Sequence, residues 1–223
     1  MSLSVNKQLP LFYRSLVPFN STKHRSLTRP KVQASYGFAA DTDVIPLLVS
    51  EVQQAVRHFP IVFIKDRQSS VVNLVALVGK GDGKNQFVDA NGQWRPWVYI
   101  PAWVRRYPFA LMADAKGDGQ PTEQLQKIME FQRGFLALSQ LTERVTNALV
   151  QVGVLEDAGF SIRRDQSSKP LNVQGFMVVN ETKLKALKME QVDNLHRADA
   201  FGLAYAQILS MSHLTQTVNG HSS

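Results

Sequence analysis

The stretch Val78 to Phe87, VGKGDGKNQF, carries Gly79, Gly81 and Gly83 beside Lys80 and Lys84. Bare glycine amides and lysine charge could together cradle a phosphate. The spacing decides against it. A Walker-type loop needs a glycine five residues before its Gly-Lys pair and a Ser or Thr after it, the hydroxyl holding magnesium. Here Val78 stands five before Gly83, and Asn85 follows Lys84. The dinucleotide pattern GxGxxG also fails, because Lys84 stands where the third glycine belongs and extended rather than helical sequence follows. The glycines are expected to turn the chain, with the lysines in solvent.

Other chemistries fare no better. Asp82, Asp89, Asn91 and Gly92 lack the spacing and distal Glu of a calcium loop, and turn formation accounts for them as well. His24, His58, His196, His213 and His221 form no HxH or HExxH pair, and no GxSxG elbow occurs. The chain has no cysteine, so disulfides, thiolate metal sites and thiol nucleophiles are excluded together. No cofactor and no metal is expected.

The segment Arg95 to Leu111, RPWVYIPAWVRRYPFAL, is richer: two Trp, two Tyr, Phe109 and three Arg interleave with three prolines. Arg and aromatic side chains dominate binding hot spots. Trp103, Arg105, Arg106 and Tyr107 are therefore expected at a binding surface, with His24 and Arg25 as neighbours. In the competing reading the aromatics are core and the arginines rim an edge.

The elements that must position these residues follow from hydropathic period. With 44% apolar residues against 19% charged, the 223-residue chain has material for a sizeable core. Its net charge of +7 is concentrated in the first 40 residues, which hold six basic residues and no acid. A solvated basic arm is the expectation; nucleic-acid or lipid binding is the alternative. Pro10, Pro18 and Pro30 interrupt any transit-type helix there. No apolar run approaches the roughly 18–20 residues of a membrane helix.

Residues 46–59 show helical spacing ended by Pro60. Residues 61–66 and 71–78 are rich in β-branched residues, and 86–100 continue the pattern through the Asn91-Gly92 turn, predicting an antiparallel meander over 61–100. SYGFAAD at 35–41 reads as a short strand or turn. A long amphipathic helix is predicted near 121–152, broken near Gly134. A strand at 171–180, a short helix capped by Thr182, and a final helix over 192–218 complete the chain. In that last helix Leu195, Phe201, Tyr205, Ile208, Leu209 and Leu214 are expected to face inward.

Five blocks carry a family resemblance: LPLFYRSLVPFNSTKHRSL, FAADTDVIPLLVSEVQQAVRHFPIVF, YIPAWVRRYPFAL, LNVQGFMVVNETKLKAL and LHRADAFGLAYAQILSMSHL. In this order they resemble the bacterial SapC family over nearly the whole chain. The chain departs from the family pattern at Gly117 to Pro121, where similar proteins carry a longer acidic segment. The resemblance implies a bacterial source and a surface-layer association. It also implies genes near outer-membrane receptors, cupin-type hydroxylases and flavin-dependent tryptophan halogenases, a setting for an accessory protein handling peptides or surface molecules. It transfers no catalytic residue.

The expected fold is α+β: a sheet from 61–111 and 171–180 packed on helices in two layers around one core, as a single domain over 1–223. Its sheet-rich lobe spans about 35–119 and its helix-rich lobe about 120–218. The expected function is non-enzymatic binding of a protein or peptide partner, in the cytoplasm, with nucleic acid disfavoured and a homo-oligomer left open. The alternative is an enzyme assembling His24, His58 or His196 with Asp41 or Asp43.

Overall fold

A computed structural model describes residues 11–17, 35–66, 69–110, 123–162 and 171–214. Among these, five antiparallel strands form one sheet in the order β1-β3-β2-β5-β4, and six α-helices accompany it, an α+β fold. The strands are β1 Val44–Pro46, β2 Ile61–Lys65, β3 Val72–Leu77, β4 Leu155–Ile162 and β5 Leu171–Val179. The helices are α1 Val52–Ala55, α2 Ala102–Arg105, α3 Glu123–Gln151, α4 Glu181–Lys185, α5 Met189–Arg197 and α6 Ala200–Ser210.

The predicted strands at 61–66 and 71–78 pair as β2 and β3, with Phe63 opposite Leu74. Their β-branched side chains are buried on both faces. Ile61, Phe63, Leu74 and Ala76 meet the helices, while Val62, Ile64, Val75 and Leu77 join Val173 and Phe176 in a second apolar cluster. Residues 79–101 do not extend the sheet as predicted. The chain there makes one isolated bridge, Val88 with Trp94, and its prolines and glycines favour turns over a continuous ladder. The sheet instead gains β1 and β4. Strand β4 pairs with β5 across a register shift at Ala158/Gly159, where a Cβ on Gly159 would stand 3.0 Å from the Val173 carbonyl.

Helix α3 runs unbroken through Gly134, which has open space around its Cα. Phe135, Thr142, Val145, Thr146 and Leu149 lie along its buried face, at spacings that a helix of 3.6 residues per turn brings to one side. The short helix α4 is capped by Asn180 rather than Thr182, the Asn180 side chain accepting the Lys183 N–H at 2.9 Å. The predicted final helix is two helices, because Asp199 adopts a left-handed conformation (φ 54°) between α5 and α6. Residues 215–218 lie outside the described residues.

The inward face of α6 also differs from expectation. Leu203, Ala204, Gln207 and Ser210 are buried, whereas Tyr205 and Leu209 are 47% and 69% exposed. The reason is polar. Gln207 donates from Nε2 to the Ile61 carbonyl (3.1 Å) and accepts the Val179 N–H at Oε1 (2.9 Å). Ser210 accepts the Ile61 N–H (2.9 Å) and donates to the Gln207 carbonyl (2.6 Å). Strands β2 and β5 share a single residue pairing, Phe63 with Met177, and the two side chains stand in for ladder bonds beside it.

Replacing Gln207 by Leu should therefore strand two buried backbone groups. A loss of roughly 2–6 kcal/mol is expected in urea unfolding, given about 1–3 kcal/mol for each unsatisfied group. A Gln207→Leu chain as stable as wild type would show that the bridge contributes nothing net.

Candidate functional site

The glycine loop is built around a carboxylate of the chain itself. Asp43, just before β1, accepts the Gly81 N–H at Oδ1 (2.8 Å) and the Gly83 N–H at Oδ2 (2.9 Å). Its carbonyl accepts Val78 N–H and Gly79 N–H at 2.8 and 3.0 Å. A Cβ on Gly79 would lie 2.2 Å from Asp43 Oδ1 and 2.4 Å from the Lys84 carbonyl, so only glycine fits. Burial pushes the Asp43 carboxyl up, against the lowering pull of the Gly81 and Gly83 amides. Asp41 pairs with Lys84 at the surface. Both aspartates proposed for proton transfer thus serve this loop. Of their histidine partners, His24 lies outside the described residues, and His58 is held low by burial and by His213 and Arg57. Among the described residues no group of three or more His, Asp or Glu could hold a metal ion.

The Arg-aromatic segment folds into α2 and its flanks and meets three open pockets. Trp103 lines one with Leu47, Ser139 and Thr142. Tyr107, stacked 4.0 Å from the Phe38 ring, lines a second of about 350 Å³ with Phe12 and Tyr13. Arg105 lines the third, of about 300 Å³, with Leu48, Glu51, Tyr99, Phe131 and Phe135. Nearby, Trp97 is 97% exposed at φ 66°, the third residue of a turn closed by Val98 N–H to the Arg95 carbonyl. A non-glycine residue there is strained.

The two adjacent arginines part company. Arg105 is exposed, its Nε donating to the Ile100 carbonyl and Nη2 to Tyr99 Oη, both at 3.0 Å. Arg106, expected at the surface, is only 8% exposed. Its guanidinium lies 4.4 Å from the Phe135 ring centre, 4.9 Å from Trp103 and 5.9 Å from Tyr13. Burial pushes its pKa down, opposed by the Tyr13 hydroxyl. The Phe109 carbonyl ties the surroundings together, accepting from Tyr13 Oη (2.6 Å) and Gln132 Nε2 (3.0 Å). Of the remaining predicted neighbours, Arg25, like His24, lies outside the described residues.

Sequence reasoning missed Glu51. It follows Leu48 by three residues and precedes Val52 and Ala55, so it stands on the apolar face of its segment, the one signal that could have marked it. Glu51 is 5% exposed; its oxygens accept the Ala102 N–H at 3.1 and 3.4 Å, and the Leu48 backbone amide also bonds to its carboxyl. Burial raises its pKa from 4.5 to about 7, with the Ala102 amide and the Arg105 charge pulling the other way. Phe131, 40% exposed on α3, forms the far wall of this pocket and also escaped notice.

The SapC family profile matches residues 19–118 and 115–216, nearly the whole chain. The protein belongs to the SapC family. The two matched stretches of this SapC chain overlap at 115–118. No curated protein and no solved structure matches it. Among the described residues of this SapC protein, no helix is long and apolar enough to cross a membrane.

Two outcomes follow. Between pH 4.5 and about 7 the folded chain holds a Glu51 proton that the unfolded chain releases, so stability falls as pH rises through that window. Glu51→Gln, which cannot ionise, should exceed wild type by up to about 3 kcal/mol at pH 8 and match it near pH 4.5. Thermal melts at both pH values check this, and a gain of equal size at both would refute it. Arg106→Ala should cost about 2–3 kcal/mol through lost ring contacts, while Arg105→Ala should stay within about 0.5 kcal/mol. Equal losses in urea titrations would refute the division between the two arginines.

Proposed function

We propose that this SapC protein is a non-enzymatic accessory protein that binds a protein or peptide partner across the α2 surface, centred on the Glu51–Arg105 pocket. One observation carries the reading. An exposed arginine, an exposed phenylalanine and a buried carboxyl with spare acceptor capacity line one open apolar pocket of about 300 Å³. Binding sites combine apolar walls with a few convergent polar groups in this way. Trp103 and Tyr107 support it by lining two further open pockets.

The test is retention of partners from the native bacterial lysate by wild type and by Arg105→Ala/Phe131→Ser, identified by mass spectrometry. A specific protein or peptide lost only from the variant, with the melting temperature unchanged, is the expected result. An identical set on both chains would refute it.

A second reading, proton transfer, has Glu51 in its favour, because a carboxyl titrating near 7 suits a general base or acid. It calls for a co-purifying small molecule that wild type turns over and Glu51→Gln does not.

A further inference from the structure

The pocket at Glu51 carries more information than its shape. Two of Arg105's N–H groups are taken, by the Ile100 carbonyl and Tyr99 Oη, and its other donors have no partner among the described residues. A guanidinium carries five donors in a planar fork that suits a carboxylate. Glu51 accepts from the backbone amides of Ala102 and Leu48, although a carboxylate offers about four acceptor sites. The same pocket is lined by the rings of Phe131 and Phe135 and the side chain of Leu138.

The charges select the ligand. With Glu51 ionised the Glu51–Arg105 pair is neutral, and with Glu51 protonated it is positive, so in neither state does the pair attract a cation. An anion gains at the exposed arginine in both. The space admits one large side chain with its terminal peptide group, and the spare acceptor capacity of Glu51 suits a main-chain N–H.

We propose that this pocket receives the C-terminal residue of a peptide. Its apolar side chain lies against Phe131, Phe135 and Leu138, its terminal carboxylate pairs with Arg105, and its last amide N–H donates to a Glu51 oxygen. The proposal rests on the binding role argued above and names the chain end that is recognised. The titratable or charged groups facing Glu51 are Arg105 and Tyr99. A carboxylate arriving beside Glu51 favours its protonated form, so binding takes up a proton and is tighter at pH 6 than at pH 8.

The experiment is an NMR titration of the ¹⁵N-labelled full chain with three probes: acetyl-Ala-Ala-Phe, the same peptide as its C-terminal amide, and 3-phenylpropionate. The free acid should shift the Ala102 and Gly134 amide resonances. The peptide amide, and the free acid on Arg105→Gln, should each bind at least about fivefold more weakly, the effect of losing a charge-assisted hydrogen bond at a half-exposed site. Glu51→Gln should remove the pH dependence. Equal binding of acid and amide, shifts confined to other surfaces, or no binding at millimolar peptide would each overturn the proposal. So would 3-phenylpropionate binding as tightly as the tripeptide, which would point to a small apolar acid. The lysate test presumes no chain end, so the two failures separate. A partner lost there with no acid preference here retires only the C-terminal reading, and an unchanged partner set there retires the binding role itself.

Discussion

The architecture depends on how β2 meets β5. On its other side β2 is paired along its length with β3, but with β5 it shares one residue pair. The Ile61 amide and carbonyl and the Val179 amide sit where water does not reach, and a buried backbone group without a partner costs as much as a lost hydrogen bond. Gln207 and Ser210, three residues apart and so on one face of α6, supply the partners. That requirement fixes the rotation of α6. It turns Leu209 and Tyr205 outward although both are apolar enough to bury. Helix α3 packs on both β3 and α6. The far end of α3 carries Phe131 and Phe135 to α2, so the pocket's outer wall is held indirectly by the same buried amide.

Around α2 the chain buries one charge and exposes its neighbour. Arg106 gives up hydration for three aromatic faces and the Tyr13 hydroxyl, an exchange that works because a guanidinium is weakly hydrated and flat. One turn of helix cannot point two successive side chains the same way, so Arg105 is sent outward. Its bonds to Ile100 and Tyr99 hold it at the rim without neutralising it. The aromatic density of this segment therefore divides its labour. Trp103 builds the support around Arg106, and Tyr99 and Phe131 shape the open face.

Much of this was legible in residue types and spacing. The β-branched runs gave β2 and β3, the four-residue apolar steps gave α3, and the resemblance of five ordered blocks gave the family. Strand β4, LEDAGFSI, was not legible, because its glycine, acids and small residues have low strand propensity. It forms through pairing with β5, a tertiary cause. The sheet predicted beyond Gly79 failed for the opposite reason, since local β-propensity there found no partner strand. The Asp199 break lies in a side chain adopting left-handed backbone, which Asp tolerates but does not announce. Of the site, the Arg-aromatic segment was visible, yet which arginine is buried depends on Phe135, some thirty residues away.

Asp43 and Glu51 show how one chain disposes of two half-buried or buried carboxyl groups. Asp43 fills the concavity of its glycine loop: amides that could have bound a phosphate already hold a carboxylate, and a second anion would meet like charge at that spot. The loop is thereby a closed structural device, and the steric demand at Gly79 follows from the closeness of that fit. Glu51 takes the Ala102 and Leu48 amides and lines an open pocket. Replacing a buried acid by an apolar residue of similar shape is often neutral or favourable to stability. Glu51 lines an open apolar pocket together with Arg105, and because burial raises its pKa it lowers stability as pH rises through that value.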